Sequence, residues 1–133
     1  ILEQNPTQLV IANRTAKKAD ALRDQFIRYG QVASGNFLDF SDTPFDIIIN
    51  ATSASLNHTV PELSPKNFTP ESLAYDMMYS HELTTFLKFA QQHGVTHLAD
   101  GIGMLVEQAA ESFFVWRGIR PDTKPVIELL KPN

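Results

Sequence analysis

The sequence contains no cysteine, which excludes disulfides and thiolate metal sites and suits a reducing cytoplasm. It has no apolar stretch near the roughly 20 residues that a membrane helix needs. Its opening, Ile1-Leu2-Glu3-Gln4, is not a basic segment followed by an apolar one, so it does not read as a signal peptide. A soluble, cytoplasmic protein is therefore expected. Charge of one sign is scarce as well: charged residues make up 20%, the formal net charge is −4, and the longest like-charge run is Lys17-Lys18. Nucleic-acid and membrane-surface binding are not expected without a polybasic tract or a dominant basic face. Small anionic ligands stay open through local basic clusters. The four histidines, His58, His81, His93 and His97, have no metal-ligand spacing and read as scattered surface or loop residues, so no metal is expected.

What is present suits one globular core. With 133 residues, 43% of them hydrophobic, the chain is long enough for one domain and short for two. Ile1 to Pro6 reads as the last turn of a helix halted by Pro6, and hence as a cut end.

Along the chain, short apolar runs alternate with amphipathic ones. Thr7 to Ala12 is a β-branched run of the kind buried on both faces of a sheet. In Ala16 to Tyr29 the apolar positions Ala19, Leu22, Phe26 and Tyr29 recur at helical steps, and Gly30 supplies a stop. Gln31 to Ser34 is a candidate short strand. Phe45 to Ala51 is the strongest strand, with continuous apolar bulk that predicts a central parallel position covered by helices on both sides. After the polar loop Thr52 to Pro70 come a strand over Leu73 to Met77, a helix over Thr85 to His93 and a strand over Thr96 to Ala99. A long helix over Met104 to Trp116 and a short one over Val126 to Leu130 close the chain. The alternation predicts an α/β fold with a doubly wound parallel sheet, in which ligands lie at the carboxyl ends of the strands.

Those strand ends carry the chemistry. Asn13-Arg14-Thr15-Ala16-Lys17-Lys18 follows the first strand and opens a helix, with Thr15 the candidate N-cap through its hydroxyl. Three cations at the positive end of a helix dipole are unfavourable unless an anion offsets them. In a dinucleotide-binding fold the adenosine ribose lies at this point, where an acid selects the free 2′-hydroxyl of NAD and an arginine accommodates the 2′-phosphate of NADP. No acid stands between Asn13 and Ala19. A solvated basic helix start is the bland alternative. Asn50-Ala51-Thr52-Ser53 puts small polar side chains past the most apolar strand, although Ser and Thr there also serve as ordinary turn residues. Tyr75-Asp76-Met77-Met78-Tyr79 ends another strand with an aromatic hydroxyl and two pliable thioethers, which also suit core or loop packing. Gly101-Ile102-Gly103 by itself simply turns the chain into a helix.

Together these segments resemble the shikimate dehydrogenase family, at Asn13-Arg14-Thr15, Asn50-Ala51-Thr52-Ser53, Tyr75-Asp76-Met77 with Tyr79, Asp100 to Val106 with Gln108, and Trp116-Arg117-Gly118 with Pro121-Asp122. The resemblance covers essentially the whole chain. It implies a Rossmann-like NADP-binding domain over residues 1–133, from an enzyme interconverting 3-dehydroshikimate plus NADPH and shikimate plus NADP in aromatic amino acid biosynthesis. It further implies that Asn13, Arg14, Thr15 and Lys18 hold the 2′-phosphate, with Arg14 able to stack on adenine. By the same resemblance, Thr52 and Ser53 flank the ribose and nicotinamide, Met77 lies against the nicotinamide ring and Gly101 offers it backbone contact. Tyr79 and Gln108 match side chains that reach the substrate. Two departures affect local loops: Ser55 stands where glycine is usual, and Thr85 stands where proline is usual before a helix.

The family also has an upstream substrate domain with a catalytic lysine and aspartate, then a first strand with a glycine-rich turn for the pyrophosphate. No Gly-x-Gly precedes the Leu9 strand. A domain lacking that strand and loop is expected, with no general acid or base of its own and inactive when isolated. Its exposed sheet edges would either close on each other or pair with another chain in a homo-oligomer. An NAD-using quinate/shikimate dehydrogenase and a non-catalytic nucleotide-binding module are the alternatives.

Overall fold

A computed structural model describes residues 1–54 and 59–130; Ser55 and His58, noted above, lie outside the described residues. The order of elements is β1 (Leu9–Ala12), α1 (Ala16–Phe26), β2 (Val32–Gly35), β3 (Ile47–Asn50), β4 (Leu73–Asp76), α2 (Thr85–Gln92), β5 (His97–Ala99), α3 (Ile102–Arg117) and α4 (Lys124–Leu130). Every ladder among the described residues is parallel, and each strand pair linked by a helix is a βαβ unit.

The chain forms two compact units. In the first, residues 1–43 and 62–67, β1 pairs with β2 from Leu9↔Val32 to Ala12↔Gly35, and α1 packs on both strands. Ala19 is the fully buried residue of α1, facing the strands where a larger side chain would hold the helix off. The helix passes at Phe26 into a 3-10 turn over Ile27–Tyr29 and ends at Gly30. Asn67 knits its own loop into this unit, donating from Nδ2 to the carbonyls of Phe40 and Thr43 at 2.7 and 2.9 Å.

In the second unit, residues 44–61 and 68–130 as described, the sheet order is β3-β4-β5. Ile47↔Leu73 through Asn50↔Asp76 and Leu73↔His97 through Tyr75↔Ala99 set the register. The helix α2 packs on β4 and β5 with Phe86, Leu87 and Ala90 essentially inaccessible. The long helix α3 buries Ile102, Val106 and Ala110 at successive four-residue steps and ends at Gly118, whose φ of 70° is the left-handed cap that glycine adopts without strain. Arg120 then holds the approach to α4, donating to Glu107 at 2.7 Å and to Glu111, while the Thr123 hydroxyl donates to Glu107 at 2.6 Å.

One expectation needs correction. The strand Phe45 to Ala51 is not central: β3 carries a ladder on one side only among the described residues, and Ile47 and Ile49 are 58% and 42% exposed. Among the described residues β3 is laddered to β4 alone, so its continuous apolar run stands at a sheet edge.

Candidate functional site

The carboxyl end of β1 runs straight into the start of α1. The Asn13 amide donates to the Gly35 carbonyl at 3.1 Å, extending the ladder by one bond. Its side chain then turns the chain, with Oδ1 accepting the Thr15 amide at 2.9 Å. Thr15 is the N-cap residue in extended conformation, but its hydroxyl makes no capping bond, contrary to the expectation from sequence. The reason is local: the turn is held by the Asn13 side chain, and the Thr15 carbonyl already accepts the Lys18 amide at 2.9 Å. Arg14, Thr15, Lys17 and Lys18 are exposed. The nearest acid in α1, Asp20, is turned away from them, accepting from the Ser34 hydroxyl at 2.6 Å and meeting Arg23 at 3.5 Å. None of the ion pairs among the described residues uses Arg14, Lys17 or Lys18. The positive end of α1 thus carries exposed cations.

In the other unit, the carboxyl ends of β3 and β4 are joined through side chains. Asp76 is fully buried at the end of β4. Its Oδ1 accepts from Asn50 Nδ2 at 3.2 Å and from the Met78 amide at 3.1 Å, and its Oδ2 accepts the Thr84 hydroxyl at 2.5 Å. Thr84 in turn caps α2, its oxygen accepting the Leu87 amide at 3.3 Å. A buried carboxylate is tolerable only when surrounded by donors in this way. Asn50 Oδ1 accepts both the Thr52 amide and the Thr52 hydroxyl, at 3.1 and 2.7 Å. The single Thr52 hydroxyl proton is therefore committed to Asn50, and its oxygen accepts the Ala54 amide at 3.2 Å. Ser53 is exposed beside it.

Past β4 the chain carries Met77, 39% exposed, and Tyr79, 50% exposed. Gly101, at the start of α3, donates its amide to the Met78 carbonyl at 3.1 Å. A Cβ on Gly101 would collide with the Met77 carbonyl, so glycine is required there by close approach of backbone. Gln108 is exposed two helical turns beyond Gly101 and on the same side of α3, by the helical repeat. Within β4, burial pushes the Tyr75 phenol above the ordinary tyrosine range and the negative charge of Asp100 adds to the effect.

Of the residues singled out in the sequence, Asn13, Arg14, Thr15 and Lys18 lie together in the first unit, and Thr52, Ser53, Met77, Tyr79, Gly101 and Gln108 lie in the second. Thr84 was missed and Asp76 carried no role. The available signals were an acid inside an apolar strand and a threonine directly before a helix.

The sequence comparisons agree with one another. A family model described as the shikimate 5'-dehydrogenase C-terminal domain matches residues 101–131. A shikimate dehydrogenase (NADP(+)) of Nitrosospira multiformis is 59% identical over 133 residues, which is 100% of this chain and 48% of that protein. The chain thus spans about half the length of the curated relatives it matches. Among solved structures, an Ael1 enzyme from Pseudomonas putida matches with a TM-score of 0.90 and 45% identity, covering 99% of this chain and 48% of that one. The shikimate 5-dehydrogenase of Thermus thermophilus, solved with NADP(H) and shikimate, matches with a TM-score of 0.75 and 27% identity, covering 95% and 46%. Over its whole length, which is about half of theirs, this chain is similar to members of the shikimate dehydrogenase family.

Proposed function

We propose that this chain is the NADP-binding part of a shikimate dehydrogenase that interconverts 3-dehydroshikimate plus NADPH and shikimate plus NADP. The observation that carries the cofactor choice is the strand end at Asn13 to Lys18: exposed cations on a helix start, no acid in the first turn, and the nearest acid engaged with Ser34 and Arg23. An acid at that point would select NAD, and cations favour the additional phosphate of NADP. In this reading Asn13, Arg14, Thr15 and Lys18 hold the 2′-phosphate. Thr52, Ser53, Met77 and Gly101 receive the nicotinamide end, and Tyr79 and Gln108 reach the substrate. NADP supplies the hydride chemistry, while the chain orients the ring and excludes water around it. The acid-base pair belongs to the rest of the protein, and so the 133 residues alone would be a binding module without turnover. A cytoplasmic, biosynthetic setting goes with this reading, as does pairing of sheet edges in an oligomer.

The test is titration calorimetry of NADP and NAD against the full-length protein, together with its rate of shikimate oxidation with each cofactor. Tighter NADP binding and NADP-dependent turnover are expected. Equal affinity for the two cofactors would sink the cofactor assignment, and lack of turnover with shikimate would sink the substrate.

A further inference from the structure

We infer that Asp76 and Thr84 are positioning residues that fix the backbone of Met77 for hydride transfer, an inference that rests on the functional reading above. Both peptide groups flanking Met77 are held. Its own amide donates to the Asn50 carbonyl at 3.0 Å. The next amide, of Met78, donates to Asp76 Oδ1 at 3.1 Å. The Met77 carbonyl lies against the Cα of Gly101, whose amide donates to the Met78 carbonyl at 3.1 Å. With φ and ψ of Met77 constrained from both sides, a pliable thioether is presented from a fixed base, and its side chain stays 39% exposed.

The fixity depends on the orientation of one carboxylate. Asp76 can accept the Met78 amide only while its plane is set, and the bonds to its other partners set it: Asn50 Nδ2 on Oδ1 and the Thr84 hydroxyl on Oδ2. Thr84 is itself pinned as the cap of α2 by the Leu87 amide. The helix start thereby orients Asp76, Asp76 orients the Met77-Met78 peptide, and neither Asp76 nor Thr84 has to touch the cofactor. Displacing a reacting group by about 1 Å can cost on the order of 10²-fold in rate, so a partial loosening is expected to cost about tenfold.

The experiment uses the full-length enzyme with Thr84→Val, Thr84→Ser and Asp76→Asn. Valine keeps the shape and removes the hydroxyl, serine restores it, and asparagine places a donor among the donors around position 76. In the cofactor-free protein carrying ¹³C-methyl methionine, the Met77 resonance, assigned through Met77→Leu, should shift or broaden in T84V and D76N. It should return in T84S, with the Met104 resonance unmoved. In turnover, T84V and D76N should lower kcat about tenfold and raise the primary deuterium isotope effect, while the NADP dissociation constant stays within about twofold. T84S should restore both. A lowered melting temperature with kcat, isotope effect and Met77 resonance all at wild-type values would overturn the inference, and D76N, which leaves the Thr84 cap in place, decides it if T84V does not fold. Wild-type enzyme that does not oxidise shikimate with NADP would instead overturn the functional reading and with it the catalytic role inferred here. The methyl spectra of the cofactor-free protein separate that outcome from a failure of the Asp76-Thr84 clamp itself.

Discussion

Gly101 lies so close to the Met77 carbonyl that a methyl group on it would overlap the oxygen. The contact is backbone against backbone, so no rotamer change relieves it. Gly101→Ala should therefore push the start of α3 away from the strand end and break the bond from the Gly101 amide to the Met78 carbonyl. Overpacking of this kind typically costs roughly 1 to 3 kcal/mol. Urea unfolding of the full-length protein should show the midpoint falling with an unchanged slope. By contrast Gly103, where a Cβ meets nothing nearby, should accept alanine with little loss.

Arg14→Ala should remove most of the preference for NADP. A charge-assisted hydrogen bond contributes roughly 1.5 to 3 kcal/mol, on the order of tenfold to a hundredfold in dissociation constant. Calorimetry should show weaker NADP binding and nearly unchanged NAD binding, with the loss shrinking as salt screens the pair. A parallel loss for both cofactors would place Arg14 elsewhere in the site.

The α/β class and every described strand and α-helix were legible, though not the 3-10 helices Leu38–Phe40 and Pro65–Asn67, because the switch from continuous apolar runs to helical spacing is a local property of the chain. One helix end was legible for the same reason: Gly30 closes the 3-10 turn that continues α1 beyond Phe26. Strand neighbours were not. The apolar bulk of Phe45 to Ala51 reports what a strand can bury, and which strands stand beside it is a long-range matter. Capping failed at Thr15 because the amide its hydroxyl would accept, that of Lys18, donates to the Thr15 carbonyl, a choice of acceptor that the sequence does not reveal. The Asp76-Thr84 pair, eight residues apart, joins a strand end to a helix start across a loop. Spacing in sequence carries no trace of it.

The covering helix α2 depends on an aromatic cluster. Phe86 is inaccessible to solvent and tilts against Phe68 at a centroid distance of 6.4 Å, while Phe68 meets Phe89 edge-on at 5.9 Å and Phe89 meets His93 at 4.3 Å. Phe86→Ala should destabilise by about 3 to 5 kcal/mol, the usual cost of removing a buried ring. Phe86→Leu should recover a large part of that loss, and chemical denaturation of both variants measures the difference.

Tyr75 should make the protein alkali-sensitive. Burial is the larger cause of its raised pKa and the charge of Asp100 the smaller. Both act against the phenolate in the folded state only. The folded protein therefore keeps the phenolic proton to higher pH than the unfolded chain, and this contribution is fully present below the ordinary tyrosine value of about 10. It is lost as pH rises from there through the folded value, because the unfolded chain then gains more from deprotonation. Difference titration of Tyr75→Phe against the parent, read by phenolate absorbance, should place the Tyr75 transition above the ordinary range. Asp100→Asn should bring it part of the way back, since the effect of burial remains. Tyr75→Phe should also flatten the fall in stability with rising pH, measured by denaturant unfolding across the alkaline range. A Tyr75 transition at the ordinary value, or one restored completely by Asp100→Asn, would show that the ring is not desolvated between β3 and β5.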